Sequence, residues 1–396
     1  MSDQTSTPRP AGRRVLTAPT PQEGPLLVVD EFKTHFDTPN GIVKAVDGVT
    51  FSLERGKTLG IVGESGSGKT VLSRSVMGLL TAKNVLREGS ATYGGEELVG
   101  ASKDHLRSLW GTEMAMVFQD PMTSLNPVLK IGRQITEGLR YHLDIPKDEA
   151  HEQAIQLLNS VGIPDPTRRI SQYPHELSGG MRQRVTIAIA LACGPKMLFA
   201  DEPTTALDVT VQAQILNLLA QQQRDRHMAM ILVTHDLGVV AGRTDEIAVM
   251  YAGQIVEKAP TRTLFANMRM PYTEALLKSI PKLEQPSHTR LLIIGGRPPD
   301  LINPPPGCRF APRCPYAQPR CHVEQPPLIE AETPGHVYRC WYPVGTDAGR
   351  EALERNLAHH VPAAEAAVTG DVSAAQQVEL ADELAALVDV EAGSDA

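Results

Sequence analysis

The sequence predicts an α/β fold whose sheet carries a phosphate-binding loop, and three observations support that expectation. Gly63-Glu64-Ser65-Gly66-Ser67-Gly68-Lys69-Thr70 fits the pattern of a loop that cradles phosphate. An apolar strand-like run, Thr58-Leu59-Gly60-Ile61-Val62, leads into it, and a helix-like stretch from Val71 to Leu80 leads out. Three further apolar runs deliver polar residues at their ends: Met114 to Phe118 before Gln119, Met197 to Ala200 before Asp201 and Glu202, and Met230 to Thr234 before His235. Open α/β sheets gather ligand-binding groups at such strand ends.

The residue types in the loop follow from its chemistry. Gly63, Gly66 and Gly68 carry no side chain, so the backbone can fold around a phosphate and aim its amides inward. Glu64, Ser65 and Ser67 complete that turn. The following helix adds its positive N-terminal end. Lys69 can reach the β- and γ-phosphates as a point charge, and the Thr70 hydroxyl can take one position on an octahedral Mg²⁺.

The remaining elements read in order. Residues from Leu26 to about Ser108 form a β-rich start and the nucleotide core. Residues 120 to 192 read as a mostly helical insertion, with Ile155, Leu158 and Val161 on one face and Ser178 placed as a helix N-cap. From Pro195 to Lys258 the chain returns to the sheet, and Leu207, Val211, Ile215, Leu218 and Leu219 form a second apolar stripe. A single phosphate loop implies one nucleotide-binding domain, residues 25–260, followed by a small Pro/Cys-rich domain at 261–344.

Composition narrows the classes. A chain of 396 residues has room for two domains plus tails. No apolar run approaches the roughly 20 residues of a membrane span. Residues 1–24, rich in Pro, Thr and Ser with no apolar core, read as a disordered leader and not a signal peptide. The net charge of −8 is concentrated at the other end: residues 345–396 hold eleven acids against Arg350 and Arg355, which leaves the remainder at +1. No basic face for nucleic acid is expected. The acidic, Ala-rich tail is expected to be a solvated extension, with one short amphipathic candidate at Leu380, Leu384, Leu387 and Val388.

Leu177-Ser178-Gly179-Gly180-Met181-Arg182-Gln183-Arg184 resembles the signature sequence of ABC-type ATPases. The resemblance implies a P-loop NTPase with a RecA-like core, an antiparallel β subdomain and a helical ABC subdomain, binding ATP and Mg²⁺. Asp201 and Glu202 then match a Walker B motif: Asp201 would hold Mg²⁺ through its water shell and Glu202 would polarise the water that attacks the γ-phosphate. Gln119 matches the Q-loop glutamine, which senses Mg²⁺ and the γ-phosphate and contacts the transmembrane subunits. His235 matches the switch histidine on the γ-phosphate, and Phe36 sits where the family stacks an aromatic ring on adenine. Ser178, Gly179, Gly180 and Gln183, with Asp208 of the D-loop, would serve ATP held mainly by a second subunit. ATP would then glue two such domains together until hydrolysis releases them.

A narrower resemblance covers about residues 26 to 343. Val117 to Pro127 is similar to the Q-loop region of the ATPase subunits of bacterial oligopeptide/dipeptide importers, and so are Gly296 to Leu301 and Pro306 to Pro315. It implies a peripheral ATPase on the cytoplasmic face of the bacterial cell membrane, paired as a heterodimer with a second ABC ATPase. Two transmembrane permease subunits and an extracytoplasmic peptide-binding protein complete the implied system. Peptide is inherited from the family, since nickel and other small-solute importers share these motifs. A soluble ABC ATPase of DNA repair or translation is the alternative that the single domain and the C-terminal segment oppose.

Cys308, Cys314, Cys321 and Cys340 form a C-terminal cluster with gaps of five, six and eighteen residues, while Cys193 reads as inert packing in an apolar helix. Structural zinc sites pair cysteines two to four residues apart, whereas a larger cubane accepts wider spacing. Arg309, Arg313, Arg320 and Arg339 each adjoin one of the four and are expected to lower the thiolate pKa values. Importers of the family that carry a [4Fe-4S] centre at matching cysteines favour that cluster here. A zinc site with His322 or His336, and four unconnected thiols, stay open.

Overall fold

The computed structural model describes residues 24–205, 207–280 and 294–368. Its strands in chain order are β1 (Leu27–Thr38), β2 (Gly41–Leu53), β3 (Thr58–Val62), β4 (Val85–Tyr93), β5 (Glu96–Glu97) and β6 (Met114–Val117). There follow β7 (Met197–Asp201), β8 (Ala229–Thr234), β9 (Glu246–Tyr251), β10 (Gln254–Pro260), β11 (Ile329–Glu330) and β12 (Val337–Tyr338). They make two sheets. One is antiparallel in the order β2-β1-β4-β5; the other runs β11-β12-β10-β9-β3-β8-β7-β6.

The larger sheet is parallel from β9 through β3, β8 and β7 to β6. Every residue of β3, β7 and β8 is buried, as expected of strands covered on both faces. Their side chains alternate between two cores. Leu59, Ile61, Met197, Phe199, Ile231 and Val233 join the core beneath the antiparallel sheet, with Phe32 and Val29. Val62, Leu198, Ala200, Met230 and Leu232 face the other core, which the helical insertion closes with Ile135, Leu158 and Leu191.

The helices follow the sequence with local adjustments. The helix after the phosphate loop spans Lys69–Val76, shorter than expected, because Met77 caps it and Gly78 turns left-handed at φ 71°. In the insertion, Ile131–His142, Lys147–Ser160 and Gly179–Leu191 bury Ile135, Leu139 and Leu158. In the helix Val209–Arg226, Ile215, Leu216 and Leu219 are buried, while Val211 and Leu218 pack partly, as does Leu207 just before the helix. Cys193 lies beyond the end of its helix, half-buried, with its thiol pushed up by burial.

The Pro/Cys-rich region does not stand apart from the nucleotide core. Its hairpin, β11 and β12, extends the main sheet by pairing Tyr338 with Glu257 and Val337 with Lys258 of β10. Phe310 packs edge-on against Tyr251 and Tyr272, each with ring centroids 5.3 Å away. Buried Glu257 accepts from the backbone N–H groups of Arg269 (2.5 Å) and Met270 (3.1 Å) and pairs with buried His336 at 2.8 Å. His336 is thereby committed to the core.

The tail departs from expectation. Residues Asp347–Ala358 form a helix capped by Thr346, and its inner face buries Ala352 and Asn356. Asn356 donates to the carbonyls of Pro315 (2.8 Å) and Ala317 (3.0 Å) and accepts from Gln318 (2.8 Å). The expectation of a solvated extension from residue 345 is therefore corrected. Small and polar residues do the docking, which an apolar-stripe criterion overlooks. The leader and the amphipathic candidate at Leu380 to Val388 lie outside the described residues.

Asn356→Ala would leave the buried Pro315 carbonyl without its donor and take one bond each from the Ala317 carbonyl and the Gln318 amide, and should cost about 1–3 kcal/mol. Urea denaturation measures it; an unchanged midpoint would show that this helix does not dock.

Candidate nucleotide site

The parallel register sets the site's geometry. Val62 lies level with Thr234, Asp201 with Val233 and Val117 with Ala200. The phosphate loop, Gln119, the acid pair and His235 therefore leave the sheet along one edge.

Close backbone approach explains two of the loop glycines. A Cβ on Gly63 would stand 2.1 Å from the Met250 carbonyl oxygen, and one on Gly68, at φ 103°, would stand 2.2 Å from that of Ala45. Lys69, 4% exposed, turns its ammonium back to the carbonyls of Gly63 (2.8 Å) and Glu64 (3.0 Å). Burial holds its pKa below the ordinary lysine value. Thr70 donates to Asp201 Oδ1 at 2.9 Å, and burial raises the Asp201 carboxyl. Asp201 Oδ2 and Ser67 Oγ are buried without a hydrogen-bond partner among the described residues, although Arg74 lies 3.9 Å from Oδ2. A hydroxyl and a carboxylate side by side, with an acceptor left over, suit a hard cation and its waters.

Glu202 is the node of the site. It follows β7 in a left-handed conformation, φ 44°, a strained state for a non-glycine residue. Gln119 Nε2 and Thr205 Oγ1 donate to its Oε2 at 2.9 and 3.1 Å. His235 Nδ1 lies 3.5 Å from Oε2, and Lys69 Nζ lies 3.8 Å from Oε1. The bond to His235 holds the Glu202 carboxyl below its ordinary range, and the same bond lifts His235. Thr205 was missed in the sequence; only its place three residues beyond Glu202 hinted at it.

Other expected residues sit elsewhere. Ser178 caps the helix Gly179–Leu191 by accepting from the Met181 N–H at 3.3 Å, and Ser178 and Gly179 are exposed. On Gly180 a Cβ would stand 2.8 Å from Val211, and the buried Gln183 amide nitrogen has no partner among the described residues. Asp208 caps the helix Val209–Arg226 by accepting from Val211 at 2.9 Å, and Val209 beside it is 82% exposed. Phe36 is half-buried on β1, opposite Val43 and Val85, whereas the core ring of that strand is Phe32.

The four C-terminal cysteines line one small cavity, together with Met270, Pro271 and Tyr316. Among the described residues no three His, Cys, Asp or Glu side chains form a metal-holding group as they stand. Neither candidate histidine lines the cavity: His322 is exposed and His336 is held by Glu257. Burial pushes the Cys308 thiol up to about 11 and raises Cys314, Cys321 and Cys340 as well. The expectation that the adjacent arginines would lower these values is corrected: burial outweighs them, with Arg320 still lowering Cys321 in part, and the four side chains are committed to other partners. Arg309 meets Asp47 and the Ala252 carbonyl, Arg313 meets Glu64, Arg320 pairs with Glu324 over the Trp341 ring, and Arg339 bonds the Ile255 carbonyl.

Comparison with known proteins agrees with this geometry. The ABC transporter family model matches residues 46–205, and the model of the oligopeptide/dipeptide transporter C-terminal region matches residues 256–321. A solved structure of the ATP-binding cassette MJ0796, a post-hydrolysis dimer bound to ADP and Pi, superposes with a TM-score of 0.54 at 25% identity, over 59% of this chain and 98% of that one. CbiO1 from Clostridium perfringens, part of the transporter complex cbiONQ, gives 0.53 at 27% identity over 62% and 92%. Fold and site thus define an ATP-hydrolysing ABC cassette.

The chain belongs to the ATP-binding subunits of the bacterial oligopeptide/dipeptide transporter family. It is 47% identical to the dipeptide transport ATP-binding protein DppD of Escherichia coli (strain K12), over 83% of this chain and 99% of that protein. It is 48% identical to the oligopeptide transport ATP-binding protein OppD of Salmonella typhimurium, over 81% and 94%, and 49% identical to OppD of Bacillus subtilis, over 80% and 88%. Among the described residues no helix is long and apolar enough to cross a membrane.

The Glu202–His235 pair has a defined pH window. His235 is raised above 6.5 and Glu202 lowered below 4.5, so the pair persists between those shifted values. It is lost as pH rises through the His235 pKa or falls through that of Glu202. Glu202→Gln should bring the His235 titration down in the ATP-free protein, as read by NMR of the imidazole; an unmoved titration would refute the pairing.

Proposed function

We propose that this subunit powers import of di- and oligopeptides across the cytoplasmic membrane, docked on the cytoplasmic face beneath two permease subunits. A second ABC ATPase completes the pair, and an extracytoplasmic binding protein delivers the peptide. The observation that carries the ATP-driven step is the convergence of Lys69, Gln119 and His235 on Glu202. In this reading Glu202 polarises the attacking water, Lys69 and His235 bind the γ-phosphate, and Gln119 links Mg²⁺ to the permeases. Thr70 and Asp201 hold Mg²⁺, the loop Gly63 to Thr70 holds the phosphates, and Phe36 stacks on adenine.

Ser178, Gly179, Gly180 and Gln183 act on ATP bound to the partner ATPase, with Asp208 at the same interface. Their support is the exposed N-terminal end of the signature helix, which offers amides and a positive dipole to an anion, and the exposed Val209 beside Asp208. The cassette MJ0796 forms a dimer in its solved structure. The domain limits that fit this reading are 25–260 for the cassette and 261–344 for the C-terminal region, with the helix Asp347–Ala358 attached to the latter.

Cys308, Cys314, Cys321 and Cys340 are proposed to hold a [4Fe-4S] cluster. Four thiols lining one cavity supply the right donor set. When bound, the cluster would staple a Pro-rich segment with little regular structure, and the thiols would load as thiolates with release of protons.

Two experiments test these assignments. Glu202→Gln should retain ATP binding, trap the ATPase dimer and lower hydrolysis at least about 100-fold, with dipeptide uptake lost in the assembled importer; normal turnover would refute Glu202 as the principal catalytic group. Anaerobically purified protein should contain iron and acid-labile sulfide, and Cys314→Ser should lose both. Stoichiometric zinc without sulfide would overturn the cluster.

A further inference from the structure

The second residue of the phosphate loop is held from outside the cassette core. Glu64 donates its backbone N–H to Tyr272 Oη at 2.8 Å, and its carboxylate takes both arms of Arg313 at 2.7 and 2.9 Å. Its carbonyl oxygen is one of the two on which Lys69 rests. Arg313 is itself fixed. Its remaining N–H groups bond Tyr251 Oη (3.2 Å) and the carbonyls of Gly295 (2.8 Å) and Ile294 (3.0 Å), which uses all five guanidinium donors. The side chain is 3% exposed, against 27% for Glu64.

Arg313 lies on a short strap whose two ends, Cys308 and Cys314, line the thiol cavity. The strap reaches the cassette a second time through Arg309, which bonds the Ala252 carbonyl at 2.5 Å; Gly253, next in the chain, donates to the Ser67 carbonyl at 2.8 Å. The loop is thus supported near both ends.

We propose that Arg313 is a positioning residue for the phosphate loop, holding Glu64 and cancelling its charge so that the loop can accept the phosphates of ATP. Two physical effects combine. Bidentate pairing fixes the turn that shapes the amide cradle. Neutralisation removes a carboxylate's repulsion of a polyanionic ligand bound by the same loop. Loss of Arg313 alone releases the turn and leaves Glu64 uncompensated, so the two effects separate when Glu64 is changed as well.

The test uses the purified full-length chain, with equilibrium binding of a fluorescent ATP analogue and steady-state ATPase kinetics. Arg313→Gln should weaken nucleotide binding and raise the ATP KM about tenfold, with kcat falling less than about threefold. Arg313→Lys, which keeps the charge and loses the fork, should fall between. Adding Glu64→Gln to Arg313→Gln should recover most of the lost affinity, because the uncompensated charge is gone. Arg320→Gln, beside another cysteine of the same cavity but turned outward to Glu324, should bind ATP as the unmodified chain does. Unchanged binding in Arg313→Gln would overturn the proposal, and so would a loss of which Glu64→Gln relieves no part, because the uncompensated charge would then play no role. If Arg313→Gln does not fold, Arg313→Lys carries the same test with the same reversal by Glu64→Gln.

Discussion

The parallel register of β3, β8 and β7 is the constraint on which the rest depends. Backbone hydrogen bonding fixes Val62 beside Thr234 and Val233 beside Asp201, so the chain has no freedom to separate the loop from the acids and the histidine. A slip of one residue would turn every side chain of a strand to the opposite core. Because both faces are buried and carry different side chains, that slip would cost the packing of two cores at once. The precision of the site is therefore a by-product of burial on both sides of the sheet.

Within that frame, the ATP-free site balances its own charges. Lys69 leans on loop carbonyls and on Glu202, and His235 shares the same carboxylate. Both cations occupy positions suited to phosphate oxygens, and an incoming γ-phosphate would compete with Glu202 for them. Glu202 is then left with the hydrogen-bond donors Gln119 and Thr205, which orient it without neutralising it. A carboxylate held in a strained backbone state, oriented by neutral donors and stripped of its counter-ions only when nucleotide arrives, is suited to polarise water at that moment.

What the sequence made legible was whatever repeats locally. Apolar runs located β3, β6, β7 and β8 within one or two residues, and Ser178 was recognisable as an N-cap from its place before Gly179. The polar residues at those strand ends were legible for the same reason. Long-range pairing was not. Nothing near Arg313 announces a partner 249 positions earlier, and proximity to Cys314 suggested the wrong one. The hairpin of β11 and β12 is too short for a periodic signal, and it exists because β10 presents an edge to pair with. The helix Asp347–Ala358 docks through Ala352 and Asn356, residues that carry no apolar stripe.

These long-range pairings also explain why the Pro/Cys-rich region persists as structure. It has few regular elements to satisfy its backbone, so it borrows partners from the cassette: Glu257 takes two of its N–H groups, β10 supplies a strand edge, and the carbonyls of Ala252 and Ile255 receive Arg309 and Arg339. Each borrowed contact is also a constraint on the lender. Ala252 adjoins Gly253, which holds the Ser67 carbonyl, and Glu64 lies inside the phosphate loop. A region that leans on the nucleotide loop in order to fold must in turn limit how that loop moves, so its folding and nucleotide binding are thermodynamically linked.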